Sequence, residues 1–167
     1  SEYLNKKPEN LTACILERPR HKKIIDKLRD LKVNIKFISD GDVSGALLVT
    51  DDKYSVDIFL GTGGGPEGVL AAAALDAFNC GFQGRFLFET DKDKKRAKAM
   101  GISDLKKKYE LNEIIKGDSI FCATGITSGD LVNGVSVVTN KYITDTFVTH
   151  KASGLKKVIK TEQNILR

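Results

Sequence analysis

Apolar and polar positions alternate along the chain in an order that predicts strands and helices in turn. Short apolar runs predict strands, and apolar positions three and four residues apart predict amphipathic helices. The predicted strands are residues 11–16, 33–39, 56–60, 84–88 and 119–123. The predicted helices are residues 19–32, 43–49, 66–78, 91–100 and 111–116. This alternation favours a mostly parallel sheet with right-handed crossovers and with helices on its faces.

The C-terminal part of the chain has a different pattern. Apolar-rich segments at residues 135–138, 142–150 and 155–161 are separated by short turn-like gaps, which predicts antiparallel strands. The predicted fold class is therefore α/β, with a mostly parallel sheet followed by antiparallel C-terminal strands. Residues 1–10 are polar and contain Pro8, so we predict a linker or tail there and one domain over residues 11–167.

Composition and charge narrow the possible partners. The chain has 167 residues, with 27 Lys plus Arg against 22 Asp plus Glu. Its basic clusters are interrupted by acids or apolar residues and lack interleaved aromatics, so they predict solvated faces and no nucleic-acid partner. Cys14, Cys80 and Cys122 form no CxxC pair, which predicts buried thiols in a reducing compartment. Without an apolar run of about 18 residues or a secretory signal, we expect a cytoplasmic protein with no membrane partner.

The first junction between a predicted strand and a predicted helix contains Arg18, Pro19 and Arg20. Ligands of open α/β sheets bind beyond the carboxyl ends of the strands, which is where this segment lies. Planar guanidinium groups suit phosphate oxygens, and the positive end of a helix favours the same anions. The segment therefore predicts a phosphate contact. The alternative is a pair of surface arginines.

The second junction contains Asp40, Gly41 and Asp42. An aspartate at the start of a helix is often only a cap, and this explains one of the two carboxylates. The functional alternative is that these groups bind sugar hydroxyls or lie near a metal.

The third junction is a glycine-rich loop, whose backbone a ligand can approach closely. Gly63, Gly65 and Gly68 satisfy the GxGxxG pattern, and Glu89 follows near the position of the acidic residue in dinucleotide sites. A dinucleotide-binding domain for NAD is therefore an alternative. Glu67 disfavours it, because a carboxylate would face the pyrophosphate unless a divalent cation lay between them. The loop favours a phosphate bridged by a metal.

Four motifs, taken in order, resemble those of class II fructose-1,6-bisphosphatases, a family that includes bifunctional fructose/sedoheptulose bisphosphatases. The motifs are residues 18–20, 40–42, 63–69 and 123–130, and the similarity runs from about residue 11 to 150. The resemblance implies the C-terminal domain of the lithium-sensitive sugar-phosphatase fold. It also implies metal-dependent hydrolysis of the 1-phosphate of fructose 1,6-bisphosphate, with Mn²⁺ or Mg²⁺, to give fructose 6-phosphate and phosphate.

The resemblance assigns roles to particular residues. It implies that Glu67 is a metal ligand, and it places no catalytic residue in this part of the family. It gives no defined role to residues 123–130. The residues that it implies for substrate binding are Arg18, Pro19, Arg20, Asp40, Gly41, Asp42 and Gly64.

The similarity covers only the C-terminal half of the family, and no Asp-Pro-Ile-Asp or Trp-Asp metal motif occurs in the chain. We therefore expect the partners to be a sugar bisphosphate and the missing N-terminal half of the same protein, in a homo-oligomer when complete. We expect the 167 residues alone to have no phosphatase activity. A further alternative is a non-catalytic binding or regulatory domain, but the intact arginines and carboxylates of the three loops argue against it.

Overall fold

A parallel three-stranded sheet forms the first part of the protein, in a computed structural model that describes residues 1–165. Its strands are β1 (Thr12–Leu16), β2 (Asn34–Ile38) and β3 (Ile58–Phe59), in the order β2-β1-β3. The helices that follow them are α1 (Lys22–Asp30), α2 (Asp42–Leu47) and α3 (Gly65–Asp76). β1 is central because its run of apolar residues is buried by both neighbouring strands and the helices.

Two helices pack closely because they present small side chains. In α2, a Cβ added to Gly45 would lie 2.5 Å from Ile38 and 2.8 Å from Phe59, so only glycine allows this approach to the sheet. In α3, the alanines carry the packing, since Ala72 and Ala74 are completely buried. This close packing holds the N-termini of both helices beside the sheet edge.

An antiparallel sheet forms the C-terminal part. Its strands are β6 (Ile120–Thr124), β7 (Ser136–Val138), β8 (Lys141–His150) and β9 (Leu155–Asn164). β8 pairs with each of the other three strands. Its inner face packs on α3, where Phe121 and Phe147 join the main core and Phe147 stacks on Phe78 with ring centroids 6.3 Å apart. The α/β fold class and the antiparallel C-terminal strands are thus confirmed.

Two predicted strands of the parallel sheet lie elsewhere. The strand predicted at residues 84–88 was wrong: β4 is only Gln83–Gly84, and it pairs antiparallel with β5 (Tyr109–Glu110). Phe86 packs edge-on against Tyr109 outside this short ribbon, so its apolar segment joins no sheet. The strand predicted at residues 119–123 forms as β6, but it pairs antiparallel with β8 instead of extending the parallel sheet.

The remaining helices are α4 (Asp91–Ala99) and α5 (Leu111–Ile114). α4 begins with a capping box, in which the Thr90 hydroxyl accepts from the Asp93 amide and the Asp93 carboxylate accepts from the Thr90 amide. α5 is shorter than predicted, because Ile115 already has an extended backbone. None of the helices among the described residues combines the length and the apolar character of a membrane span.

The cysteines occupy three different environments. Cys14 lies in the core and Cys80 is half-buried, and burial raises the pKa of both thiols. Cys122 is exposed on β6, so the prediction that all three thiols are buried was wrong for this residue.

The first ten residues contact the domain at defined points. The Lys6 ammonium lies 2.6 Å from the Asp57 carboxylate, and the Asn34 side-chain amide donates to the Glu9 carbonyl at 3.0 Å. A 3-10 turn at Pro8–Asn10 leads into β1. The boundary at residue 10 stays a prediction.

Candidate functional site

The three candidate loops lie at one edge of the parallel sheet. Residues 17–21 follow β1, residues 39–41 follow β2 and residues 60–64 follow β3. The strands are parallel, so their carboxyl ends meet at the same edge, where α/β proteins bind ligands. Because β1 is central, its loop lies between the other two.

Arg18 connects the central loop to the loop after β2. Its Nη2 donates to the Ser39 carbonyl at 2.5 Å, and its Nη1 donates to the carbonyl of Glu17 at 3.1 Å. Both terminal nitrogens therefore hold backbone oxygens. Pro19 begins the 3-10 turn that leads into α1, which fixes where the Arg18 side chain starts.

Arg20 connects the central loop to the loop after β3. Its Nε donates to the Thr62 carbonyl at 2.5 Å, and the side chain is exposed. The two terminal nitrogens of Arg20 make no hydrogen bond or ion pair with residues 1–165 in this structure. They form a planar, permanently charged donor pair at the sheet edge, which is the geometry that phosphate oxygens accept.

His21 is completely buried and joins the same two loops. Its Nδ1 lies 2.8 Å from the Leu16 carbonyl, and its Nε2 lies 2.9 Å from the Thr62 amide nitrogen. The Leu16 carbonyl can only accept, so Nδ1 carries a proton and donates to it. The Thr62 amide can only donate, so Nε2 accepts from it, and Nε2 also lies 3.1 Å from the Thr62 carbonyl. Sequence reasoning missed this residue, although a histidine that directly follows Arg20 after a buried strand was a visible signal.

The loop after β2 depends on a left-handed glycine. Gly41 has φ +85°, and its amide donates to Asp40 Oδ1 at 2.8 Å. A side chain at this position would also collide with Ser44, whose hydroxyl donates to the Gly41 carbonyl. The turn thereby starts α2 at Asp42. Neither Asp40 nor Asp42 forms an ion pair with the described part of the chain.

Two carboxylates lie against the backbone of the glycine-rich loop. A Cβ added to Gly63 would lie 3.0 Å from Asp42 Oδ2, and one added to Gly64 would overlap Glu67 Oε2. Asp42 is in the first turn of α2 and Glu67 is in the first turn of α3, where the helix dipoles favour negative charge. The structure thus places two carboxylates beside two consecutive glycines.

The two carboxylates have the chemistry of metal ligands. Carboxylate oxygens are the ligands that Mg²⁺ and Mn²⁺ prefer. No group of three or more His, Cys, Asp or Glu residues among residues 1–165 is arranged to hold a metal ion. Glu67 and Asp42 are therefore two carboxylates beside one loop, and a complete metal site needs more ligands than residues 1–165 bring together.

The motif at residues 123–130 covers the end of β6 and the start of the loop between β6 and β7. Its end contacts the parallel sheet, because the Tyr54 hydroxyl donates to the Asp130 carbonyl at 3.0 Å and Lys36 lies 3.5 Å from the Asp130 carboxylate. Close backbone contacts at Gly125 and Gly134 exclude any side chain there. These contacts explain the motif as a connection between the two sheets.

The dinucleotide alternative finds no support in this arrangement. A dinucleotide fold needs its acidic residue at the end of the strand that follows the glycine loop. Glu89 instead follows residues 85–88, which form no strand and lie outside the parallel sheet.

Comparisons with known proteins agree with the motif resemblance. The profile of the family described as "Bacterial fructose-1,6-bisphosphatase, glpX-encoded" matches residues 1–163. The chain belongs to this family. The class II bisphosphatase resemblance is therefore confirmed, over a longer part of the chain than its motifs cover.

Curated relatives carry the bifunctional name of the same family. The chain is 33% identical to "D-fructose 1,6-bisphosphatase class 2/sedoheptulose 1,7-bisphosphatase" of Trichodesmium erythraeum (strain IMS101), over 96% of this chain and 50% of that protein. It is 32% identical to the protein of the same name from Gloeobacter violaceus (strain ATCC 29082 / PCC 7421), with the same coverage. The chain thus spans about half the length of the curated relatives it matches.

Proposed function

We propose that this chain supplies the substrate-binding part of a metal-dependent phosphatase. The reaction is hydrolysis of the 1-phosphate of fructose 1,6-bisphosphate, which gives fructose 6-phosphate and phosphate. The observation that supports it best is the pairing of a free guanidinium fork on Arg20 with the two carboxylates beside Gly63 and Gly64, all at one sheet edge. A sugar bisphosphate offers phosphate oxygens for the guanidinium and hydroxyl groups for Asp42, which leaves Glu67 for a metal ion.

The binding roles follow from the donors that each loop leaves available. Arg20 contacts a phosphate, while Arg18 and Pro19 hold the central loop in place around it. Asp40 and Asp42 accept from sugar hydroxyls. Gly41 makes the turn that exposes both carboxylates, and Gly64 lets the substrate reach the backbone.

Glu67 is the proposed metal ligand, with Asp42 beside the same loop. Mn²⁺ or Mg²⁺ bound there would polarise the phosphoryl group and lower the pKa of a bound water. The remaining ligands belong to the partner that we propose, the N-terminal half of the family protein. The partner half completes the active site, and the protein that the two halves form is cytoplasmic.

A homo-oligomer is also proposed, and the outer face of the antiparallel sheet supports it. Residues directly opposite in paired strands share a face, and this face carries Ile120, Val137, Tyr142 and Ile159, which are between 38% and 67% exposed. The charged residues Lys156, Lys160 and Glu162 of β9 lie instead on the face that packs on α3.

A second copy of the same face is the proposed cover. β8 and β9 are 10 residues long, and the shorter β6 and β7 lie end to end along the other edge of β8, so the sheet offers roughly 450 Å² per subunit from strand rise and spacing. Two such faces bury about 900 Å², which is the size of a weak interface. Lys157 is the charged residue that the two long strands place on this face, so two copies meet with little repulsion.

Binding and turnover of the 167-residue chain test the proposal. We expect saturable binding of fructose 1,6-bisphosphate by calorimetry, weaker binding of fructose 6-phosphate, and no phosphate release with Mn²⁺ present. Glu67→Gln should abolish binding of Mn²⁺ by the bisphosphate-loaded chain while leaving bisphosphate binding without metal unchanged. Absence of bisphosphate binding would contradict the proposal, and phosphate release would contradict the incomplete metal site.

A further inference from the structure

We propose that His21 is a positioning residue, which fixes the backbone of Thr62 and through it the orientation of the Arg20 guanidinium. This role rests on the proposed function, because the purpose of the orientation is to present Arg20 to a phosphate. His21 itself is completely buried and touches no ligand.

The backbone of Thr62 is contacted by both His21 and Arg20. Its N–H donates to His21 Nε2 at 2.9 Å, and its carbonyl accepts from Arg20 Nε at 2.5 Å. These two groups belong to the successive peptide units on either side of the Thr62 Cα, and His21 Nε2 also lies 3.1 Å from the Thr62 carbonyl. His21 and Arg20 therefore both hold the backbone of Thr62. Hydrogen bonds linked in this way polarise and orient one another.

The direction of the Arg20 side chain follows from its hydrogen bond to the Thr62 carbonyl. Nε is held by the Thr62 carbonyl, so the guanidinium lies in a fixed direction and its terminal nitrogens point away from that carbonyl. A change in the φ and ψ angles of Thr62 would turn its carbonyl and carry the guanidinium with it. His21 resists that change from inside the fold.

Both ring nitrogens of His21 are hydrogen-bonded to backbone groups, which burial of the ring alone does not explain. Nδ1 donates to Leu16, the last residue of β1, and Nε2 reaches a loop 41 residues later in the chain. The imidazole thus spans from the central strand to the loop after the edge strand β3. Supporting groups of this kind hold a binding site in its productive geometry.

Two substitutions separate positioning from packing. The side-chain amide nitrogen of His21→Asn lies near the former Nδ1 position, so this variant keeps the bond to Leu16 and loses the acceptor for Thr62. The side-chain oxygen of His21→Gln lies near the former Nε2 position, so this variant keeps the acceptor and loses the bond to Leu16. His150→Gln is the control, because His150 is the second of the two histidines and contacts Asp118 and Ser153 on the surface.

The experiment measures fructose 1,6-bisphosphate affinity, melting temperature and amide exchange in the full chain. We expect His21→Asn to bind about tenfold more weakly and His21→Gln to stay within about twofold of the original, since supporting hydrogen bonds are worth roughly that much. Both variants should lose similar thermal stability, and His150→Gln should bind normally. Equal affinity of the Asn and Gln variants would overturn the positioning role.

Nuclear magnetic resonance of the unsubstituted chain gives a test that needs no variant. We expect the His21 ring proton on Nδ1, and slower exchange of the Thr62 amide than of the Gly63 amide next to it. A ring proton on Nε2 would overturn the proposal. If the Thr62 amide is protected but no bisphosphate binds, the proposed function fails and the role of His21 in it fails too. If the bisphosphate binds but the Thr62 amide is unprotected, only the positioning role fails.

Discussion

The carboxylate of Asp42 lies directly against the backbone of Gly63. A Cβ added to that glycine would be 3.0 Å from Asp42 Oδ2, which is closer than almost all real Cβ contacts. This contact joins the first turn of α2 to the glycine-rich loop. It brings residues from two separate loops into one site. No side chain fits between the Asp42 carboxylate and the Gly63 backbone.

Gly63→Ala should therefore weaken binding more than it destabilises the fold. The new methyl group must displace the Asp42 carboxylate, a movable group, so we expect at least tenfold weaker fructose 1,6-bisphosphate binding with little change in melting temperature. Gly65→Ala is the matched control, because a Cβ there meets nothing within 4 Å. It should bind normally. Equal affinities of the two variants would contradict the site.

The two arginines should contribute unequally to substrate affinity. Arg20 has free terminal nitrogens, whereas those of Arg18 donate to backbone carbonyls. Arg20→Ala should cost about 1.5–3 kcal/mol of binding free energy, which is typical of hydrogen bonds to charged groups. Arg18→Ala should cost less binding free energy and lower the melting temperature more. Calorimetry and thermal melts of both variants decide the order, and a larger affinity loss for Arg18→Ala would show that it is the phosphate ligand.

Asp57 should make stability depend on acid pH. Burial opposes its charge, but hydrogen bonds from the Lys6 ammonium and the Thr12 amide outweigh this and lower its pKa. A lowered folded-state pKa gives stability that is present above the unfolded value of about 3.9 and is lost as pH falls through the folded value. Denaturant melts at pH 7 and below pH 4 should show a smaller difference for Asp57→Asn than for the original chain.

The exposed Asp30 provides the control for that experiment. Asp30→Asn should leave the pH dependence unchanged, because no ion pair joins this carboxylate to the rest of residues 1–165. Lys6→Ala should act like Asp57→Asn, only more weakly. If Lys6→Ala and Asp57→Asn both lose as much stability in acid as the original chain, the ion pair between Lys6 and Asp57 does not contribute to stability.

The outer face of the antiparallel sheet should control self-association. Ile159→Lys places a charge among its apolar residues and should convert a dimer into monomers, as measured by light scattering after size exclusion. Val158→Lys is one residue away on the same strand but on the opposite face, beside Phe147. It should leave the dimer intact. A monomeric original chain, or identical masses for all three proteins, would contradict the proposed interface.

Periodicity predicted where most elements form, but not which strands pair. Residues 119–123 were correctly predicted as a strand, and the position of β6 follows from its apolar run. Its antiparallel partner β8 is separated from it along the chain, and a local hydrophobic pattern does not indicate which strands pair. Residues 84–88 show the opposite error, since a short apolar run also arises where aromatic side chains cover a loop.

The positions of the three site loops were predictable from the sequence, but the hydrogen bonds between their residues were not. Strand ends in an α/β sequence meet at one edge, so the three loops were expected together. The unequal hydrogen bonding of Arg18 and Arg20 was not predictable, because it depends on carbonyls of the neighbouring loops. His21 was missed for the same reason, since its value comes from burial beside Thr62.

The central place of β1 in its sheet has a consequence for how sequence change accumulates in this protein. The segment after β1 is bonded to the loops on both sides, so an alteration in either outer loop is transmitted to the other through it. Substitutions at Ser39 and Thr62, which lie in separate loops, would then have effects on the free energy of unfolding that do not simply add. Sequence divergence is easiest at the outer loops one at a time and hardest at the segment they share.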